Sequence, residues 1–427
     1  MRVVLLASEW RTKRDELSTF NRELAIQLAK HPDVQVSVFL PRCDQDEKTE
    51  ALTHNITLVQ ATRRPGFDDE TQWLCFPPKD FHFDFVIGHG VKLGHQAQVI
   101  KEQRNCKWIQ FVHTDPEERG MFKDCPGAIS EGEKKRQDEV DLCAEGDLVV
   151  AVGSKVEDAY RTYLRFCEKD QNVFALTPGI FSDFSDVPKS NQTGSKFRVL
   201  AFGHGGAEDF RVKGFDIAAK AVSQLNDALL IFVDAKQQDE VASRLKECNI
   251  TPSRLRVRSF TEIRERLKQQ FSEVDLAIMP SRTEGFGLAA LEAMSAGLPV
   301  LVSANSGFGE ALGEVAFGSY YVVHSEDADV WARKIEEVLA KRRELRLGEA
   351  EALRDSYAKK YNWAEQCRDL VEKMRGILNG KMYKNYMCFS LTRLHIHHSI
   401  DAAVTFGFQV TIFVANRFCN HLAHEQS

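Results

Sequence analysis

The chain has no CxxC pair among its ten cysteines, no excess of positive charge, and no uninterrupted apolar run of membrane-spanning length. Each absence removes a class of protein. Scattered cysteines match no standard zinc spacing and fit free thiols in a reducing compartment. A net charge of -6 and a pI near 6.1 speak against binding to a phosphate backbone, so no nucleic acid partner is expected. The longest apolar stretch, in the tail HIHHSIDAAVTFGFQVTIFVANRF, runs for about 14 residues and falls short of a membrane span, which leaves membrane association unsupported. The turn after the first strand lacks GxGxxG, which sets aside nucleotide-sugar epimerases and dehydrogenases. No signal peptide precedes RVVLLAS, so a cytoplasmic location is expected and the sequons at Asn55, Asn191 and Asn249 read as chance.

What is present fits two α/β domains. The 427 residues are 43% hydrophobic and 28% charged, enough for two cores rather than one. Apolar runs at RVVLLAS, VQVSVFL, FDFVIG, KWIQFVH, DLVVAV and NVFALT alternate with segments long enough for helices. The same alternation resumes at FRVLAFG, ALLIFVD, LRVRSF, VDLAIMP and PVLVSA, after the polar, turn-rich DVPKSNQTGSK. The expected architecture is two Rossmann-like, doubly wound domains facing across a cleft: residues 1–187, residues 197–360, a C-terminal helix over 361–379, and an atypical tail over 380–427.

The densest chemical signal is SRTEGFGLAALEAMSAGLPVLVS. VDLAIMP ends a buried strand near Met279, Leu288 to Ala296 are strong helix formers, and Gly297 with Pro299 stops the helix. The unit is strand, glycine turn, short helix, strand, with its turn at the carboxyl end of a strand where open α/β sheets bind ligands. Glu284 lies on the turn and Glu292, eight positions on, lies inside the helix. Backbone N–H groups at Gly285, Phe286, Gly287 and Leu288 suit a phosphate or hydroxyls, and two carboxylates suit two points of an elongated, hydroxyl-bearing ligand. The alternative is an acid favoured at a helix start and a second one on a solvated helix face.

This stretch resembles the donor-site signature of retaining GT-B glycosyltransferases of the family-4 type, in which two glutamates flank seven residues. The resemblance implies that Glu284 holds the donor sugar and Glu292 the ribose. It also implies a GT-B fold over roughly residues 1–378, a nucleoside diphosphate sugar as donor substrate, and neither cofactor nor metal. In AFGHGGAEDFRVKGFD, Lys213 stands where the family's lysine meets the diphosphate. The family's arginine position is His204 here, and a neutral imidazole does not replace a guanidinium. Arg211, two residues before Lys213, is the candidate substitute, or else a solvated charge. His113, ending the strand in WIQFVHTDPEE, resembles the family's histidine on the cleft wall, and His89 in DFVIGHG ends another strand and borders the acceptor side. The paired glycines of the family's first turn are absent, and Asp15 and Glu16 stand there instead.

The expected function is transfer of a sugar, with retention, to an unknown acceptor. Lys213, Glu284 and His113 are placed at the chemistry. Arg211, His204, Glu292 and the 285–288 turn are placed at the donor. The competing expectation is a glycosyltransferase-like module that binds a nucleotide-sugar without turnover. Two formal DxD matches, Asp44-Gln45-Asp46 and Asp327-Ala328-Asp329, lie away from a suitable strand end, and the tail's His395, His397, His398, Cys419, His421 and His424 match no standard zinc pattern.

Overall fold

The computed structural model describes residues 1–11, 16–184, 187, 196–202, 207–234, 238–259 and 264–380. The first sheet contains β1 (Arg2–Leu6), β2 (Gln35–Leu40), β3 (Ile56–Gln60), β4 (Phe85–His89), β5 (Lys107–Val112), β6 (Leu148–Val152) and β7 (Val173–Leu176). The second contains β8 (Phe197–Phe202), β9 (Ala228–Asp234), β10 (Leu255–Ser259), β11 (Leu276–Met279), β12 (Val300–Ser303) and β13 (Val322–Val323). The eleven apolar runs all became strands. Two strands went unread: β3, whose ITLVQ carries two polar residues at a sheet edge, and β13, which is only two residues long.

Every pairing is parallel, and the orders are β3-β2-β1-β4-β5-β6-β7 and β10-β9-β8-β11-β12-β13. Central strands covered on both faces are buried at every residue, as in β4, β6 and β11, and are apolar but for His89 at the carboxyl end of β4. Strand order reverses between β1 and β4 in one sheet and between β8 and β11 in the other. Such switch points open a crevice beyond the carboxyl ends of the strands. The two Rossmann-like domains face a cleft there.

The helix Glu16–Ala29 leaves from β1 and turns Phe20, Leu24 and Leu28 fully inward, as their spacing requires. Burying each such side chain contributes about 1.5–3 kcal/mol. The last described helix, Trp363–Leu378, is N-capped by Asn362 and packs back on the first domain. Its Trp363 ring lies 5.8 Å from Phe20, and its Arg375 pairs with Asp33 at 2.7 Å.

Candidate active site

A cavity of about 470 Å³ opens where the strand ends of both sheets converge. It is lined by His89, His113, Lys213, Glu284, Phe286, Gly287 and Leu288 among the residues singled out from sequence, and also by Leu17, Lys92, Arg119, Lys135 and Glu139.

The second domain supplies an ion pair. Lys213 Nζ donates to Glu284 Oε2 at 2.6 Å, with both side chains nearly buried. The pair is held from behind by Arg282. Its guanidinium grips both oxygens of Asp216 at 2.7 and 2.8 Å and also donates to the Arg211 carbonyl, while its backbone N–H reaches the Val212 carbonyl. Burial pushes the Asp216 carboxyl upward, but the two-point pair with Arg282 prevails and holds it below its usual value. The turn bearing Lys213 is thereby fixed against the loop bearing Glu284.

Gly287 takes a left-handed conformation, φ 100°, to open the helix Leu288–Ser295, whose first N–H groups have no partner within the helix. Gly285 is required for a different reason from the one the sequence suggests. A Cβ there would sit 1.9 Å from the carbonyl oxygen of His113, so the glycine lets this turn touch the first domain directly. Glu292 is 3% exposed, which removes the solvated-face alternative, and it lies within the helix rather than on the cavity wall.

Around β4 and β5 the first domain supplies a neutral chain of groups, while its Lys92, Arg119, Lys135 and Glu139 line the cavity beside that chain. His89 ends β4, with its Nδ1 3.0 Å from His113 Nε2 and its Nε2 3.0 Å from Asn21 Oδ1. Asn21 Nδ2 donates to the Leu6 carbonyl at 2.9 Å. Phe20 sets its ring edge-on to both imidazoles. Burial lowers His113 to about 3 and takes His89, which also faces His113, well below its usual value, so both are neutral at pH 7. Glu139, also buried, accepts from the Tyr160 hydroxyl, and burial raises its carboxyl above the usual value.

Charged residues clasp the two domains together. Arg119, on the helix Pro116–Phe122, pairs with Asp209 at 2.8 Å. Burial alone would lower its guanidinium, but Asp209 and the more distant Glu284 hold it above its usual value. Lys123 meets Glu208 at 2.9 Å, and Lys155 donates to Thr283 Oγ1 and to the Asn305 carbonyl.

Arg211 is directed elsewhere: it is 56% exposed, stands 3.8 Å from Asp124, and does not line the cavity. The arginine that does line it, Arg119, was missed, because no spacing in sequence joins it to Asp209. Asn21 left a readable trace, a polar residue three and seven positions before Leu24 and Leu28 on the buried face. His204, Asp15 and the tail histidines and cysteine lie outside the described residues. Glu16 opens its helix. Asp44 and Asp327 are helix N-caps. Among the described residues, no group of three or more His, Cys, Asp or Glu is placed to hold a metal ion, and no helix is long and apolar enough to cross a membrane.

Residues 4–370 match the family described as "Family 4 Glycosyltransferase in conflict systems". The chain is 25% identical over 312 residues to a D-inositol 3-phosphate glycosyltransferase of Corynebacterium jeikeium, covering 68% of this chain and 73% of that one. A Streptomyces coelicolor protein of the same name is 23% identical over 366 residues, 79% and 75% of the two chains. Sucrose-phosphate synthase from Thermosynechococcus elongatus superposes with a TM-score of 0.67 at 18% identity, over 89% of this chain and all of that one. HepE of Anabaena, solved with UDP-glucose, superposes with a TM-score of 0.62 at 17% identity, over 88% of this chain and all of that one. The chain therefore belongs to the family-4 glycosyltransferases of conflict systems and has the GT-B fold.

Proposed function

We propose that this chain transfers a sugar from a nucleoside diphosphate donor to an acceptor hydroxyl, with retention of configuration and without a metal ion. The observation that carries this reading is the Lys213–Glu284 pair beside the open N-terminus of the helix Leu288–Ser295. The cavity walls hold four cationic side chains, Lys92, Arg119, Lys135 and Lys213, against the carboxylates Glu139 and Glu284. Three of these cations are paired, Lys92 with Asp69, Arg119 with Asp209 and Lys213 with Glu284, and a diphosphate would take the place of such a carboxylate partner. HepE, a structural neighbour, was solved with UDP-glucose.

In this reading Lys213 turns from Glu284 to the diphosphate. The bond from the anomeric carbon to the bridging oxygen breaks, and its electron pair goes to the phosphate. Charge on that oxygen grows toward the transition state, where the ammonium of Lys213 and the N–H groups at Gly287 and Leu288 are most effective. The acceptor oxygen attacks from the face the leaving group departs from, and its proton passes to the departing phosphate. Glu284, released from Lys213, accepts from sugar hydroxyls; the ribose role of Glu292, which lies behind the cavity wall, rests on the family resemblance alone. His113 contacts the sugar from the opposite wall. Arg119 takes the place beside the diphosphate that the sequence offered to Arg211.

Thermal shift against a panel of nucleotide-sugars, followed by an assay of donor hydrolysis, tests the reading. Stabilisation with turnover is expected. Stabilisation without any turnover would instead mark a nucleotide-sugar-binding module, and absence of stabilisation by every donor would overturn the donor site.

A further inference from the structure

The hydrogen bonds behind His113 have a direction. A carbonyl only accepts, so at Leu6 it is the Asn21 amide nitrogen that faces it, 2.9 Å away. Asn21 Oδ1 therefore faces His89 Nε2 and only accepts, so that nitrogen carries a proton. A neutral His89 then presents a lone pair at Nδ1, and the 3.0 Å contact requires the proton of His113 to sit on Nε2. Nδ1 of His113 is left as an acceptor. Among the described residues no protein group is hydrogen-bonded to it, and His113 lines the cavity.

The frame leaves no other arrangement. Asn21 and His89 are 5% and 1% exposed, so no water replaces either partner. Phe20 stands edge-on to both rings at 6.3 and 5.3 Å, and Phe111 lies tilted against His89 at 5.0 Å. Moving the proton to the other nitrogen of either imidazole would set two lone pairs or two N–H groups against each other in a buried site, and flipping a ring would put a carbon where its nitrogen bonds, each at the cost of an unmade hydrogen bond.

We propose that Asn21 and His89 are positioning residues that hold His113 as a neutral imidazole protonated on Nε2, so that it meets a ligand in the cleft only as a hydrogen-bond acceptor. The group His113 reads must then carry a proton, as a sugar hydroxyl does, and a proton-free group such as a carboxylate is disfavoured at that point. This deepens the proposed function and rests on it only for the identity of the ligand; the tautomer is a property of the unliganded protein.

The test is nitrogen-15 NMR of the full chain labelled at histidine, at pH 7.5, where two-bond couplings distinguish Nδ1–H from Nε2–H. Both His89 and His113 are expected to be protonated on Nε2 alone, and in Asn21→Leu the His113 signals are expected to report a mixture. Proton on Nδ1 of either ring in the native protein overturns the proposal, whether or not the variant folds. Native signals retained in a folded Asn21→Leu would remove Asn21 from the relay. In a second arm, UDP-glucose is compared with its deoxyfluoro analogues, in which fluorine accepts but does not donate. One analogue is expected to bind roughly three- to tenfold more weakly to the native protein and to lose that deficit in His113→Phe. Equal binding of all the analogues overturns the reading of a hydroxyl. Failure of UDP-glucose itself to bind counts against that donor and leaves the tautomer measurement to decide.

Discussion

The two walls of the cleft reach order by opposite means. The second domain's wall is built from charges paired at short range, Lys213 with Glu284 and Arg282 with Asp216. The first domain's wall around β4 and β5 is a neutral chain of amide and imidazole groups, kept uncharged by burial. A charged pair can be redirected by an incoming anion, since one partner exchanges for another of the same sign. A buried neutral chain offers no such exchange and keeps its direction. The charged wall is thus suited to the part of a ligand whose charge changes, and the neutral wall to a part that must be read by shape and by donor or acceptor character.

If the charged wall acts on the departing diphosphate, Lys213→Ala should lower turnover by about 10²–10³-fold while weakening donor affinity far less. Steady-state kinetics beside calorimetric affinity measures both, and equal losses in the two would erase the distinction between ground-state and transition-state binding. Glu292→Ala should next weaken nucleotide-sugar affinity by on the order of 1.5–3 kcal/mol, the worth of a charged hydrogen bond. Calorimetry that finds affinity unchanged would remove the ribose from Glu292.

Where the walls meet, Arg119→Ala strips the partner from Asp209, which is 3% exposed. Leaving that carboxylate unpaired should cost about 1–3 kcal/mol in urea unfolding, and adding Asp209→Asn should recover most of it. A double variant no more stable than the single one would show that the pair does not clasp the domains.

The smallest effect sharpens the contrast through pH. His113 and His89 have folded pKa values below the usual 6.5, to about 3 for His113, so between those values the unfolded chain binds more protons than the folded one. Their contribution to stability is complete above about pH 6.5 and declines as pH falls, by no more than about 1.4 kcal/mol per pH unit for each histidine. Urea unfolding at pH 7.5 and 5.5 should show this decline in the native chain and less of it in His89→Asn/His113→Asn. An identical decline in both would place the titration elsewhere.

Much of the architecture was legible because periodicity and punctuation are local. Alternating apolar runs and helix-forming segments specify which residues become strands, and the turn after Met279 and the helix from Leu288 follow from glycine, proline and helix formers within a few positions. Strand β3 escaped because an edge strand needs no continuous apolar run. Among the candidate residues, His113 could be placed at a strand end, Glu284 on a turn and Lys213 at the opening of a helix from sequence, but none could be given a partner. Gly285 was read as a phosphate turn, and only the approach of the His113 carbonyl reveals its packing role.

By itself, then, the sequence determined the two α/β domains, the strand ends that carry the candidate side chains, and the resemblance borne by Glu284 and Glu292. The tertiary structure decided which of those side chains meet. Lys213 and Glu284 are 71 positions apart, Asn21 and His89 are 68, and Arg119 and Asp209 are 90. Those pairings depend on crossovers that order parallel strands and on the closure of one domain against the other. A local pattern records which face of an element is buried; it does not record what the other domain presents to it, which is why Arg211 was the candidate and Arg119 went unread until the fold turned one toward Asp124 and the other into the cleft.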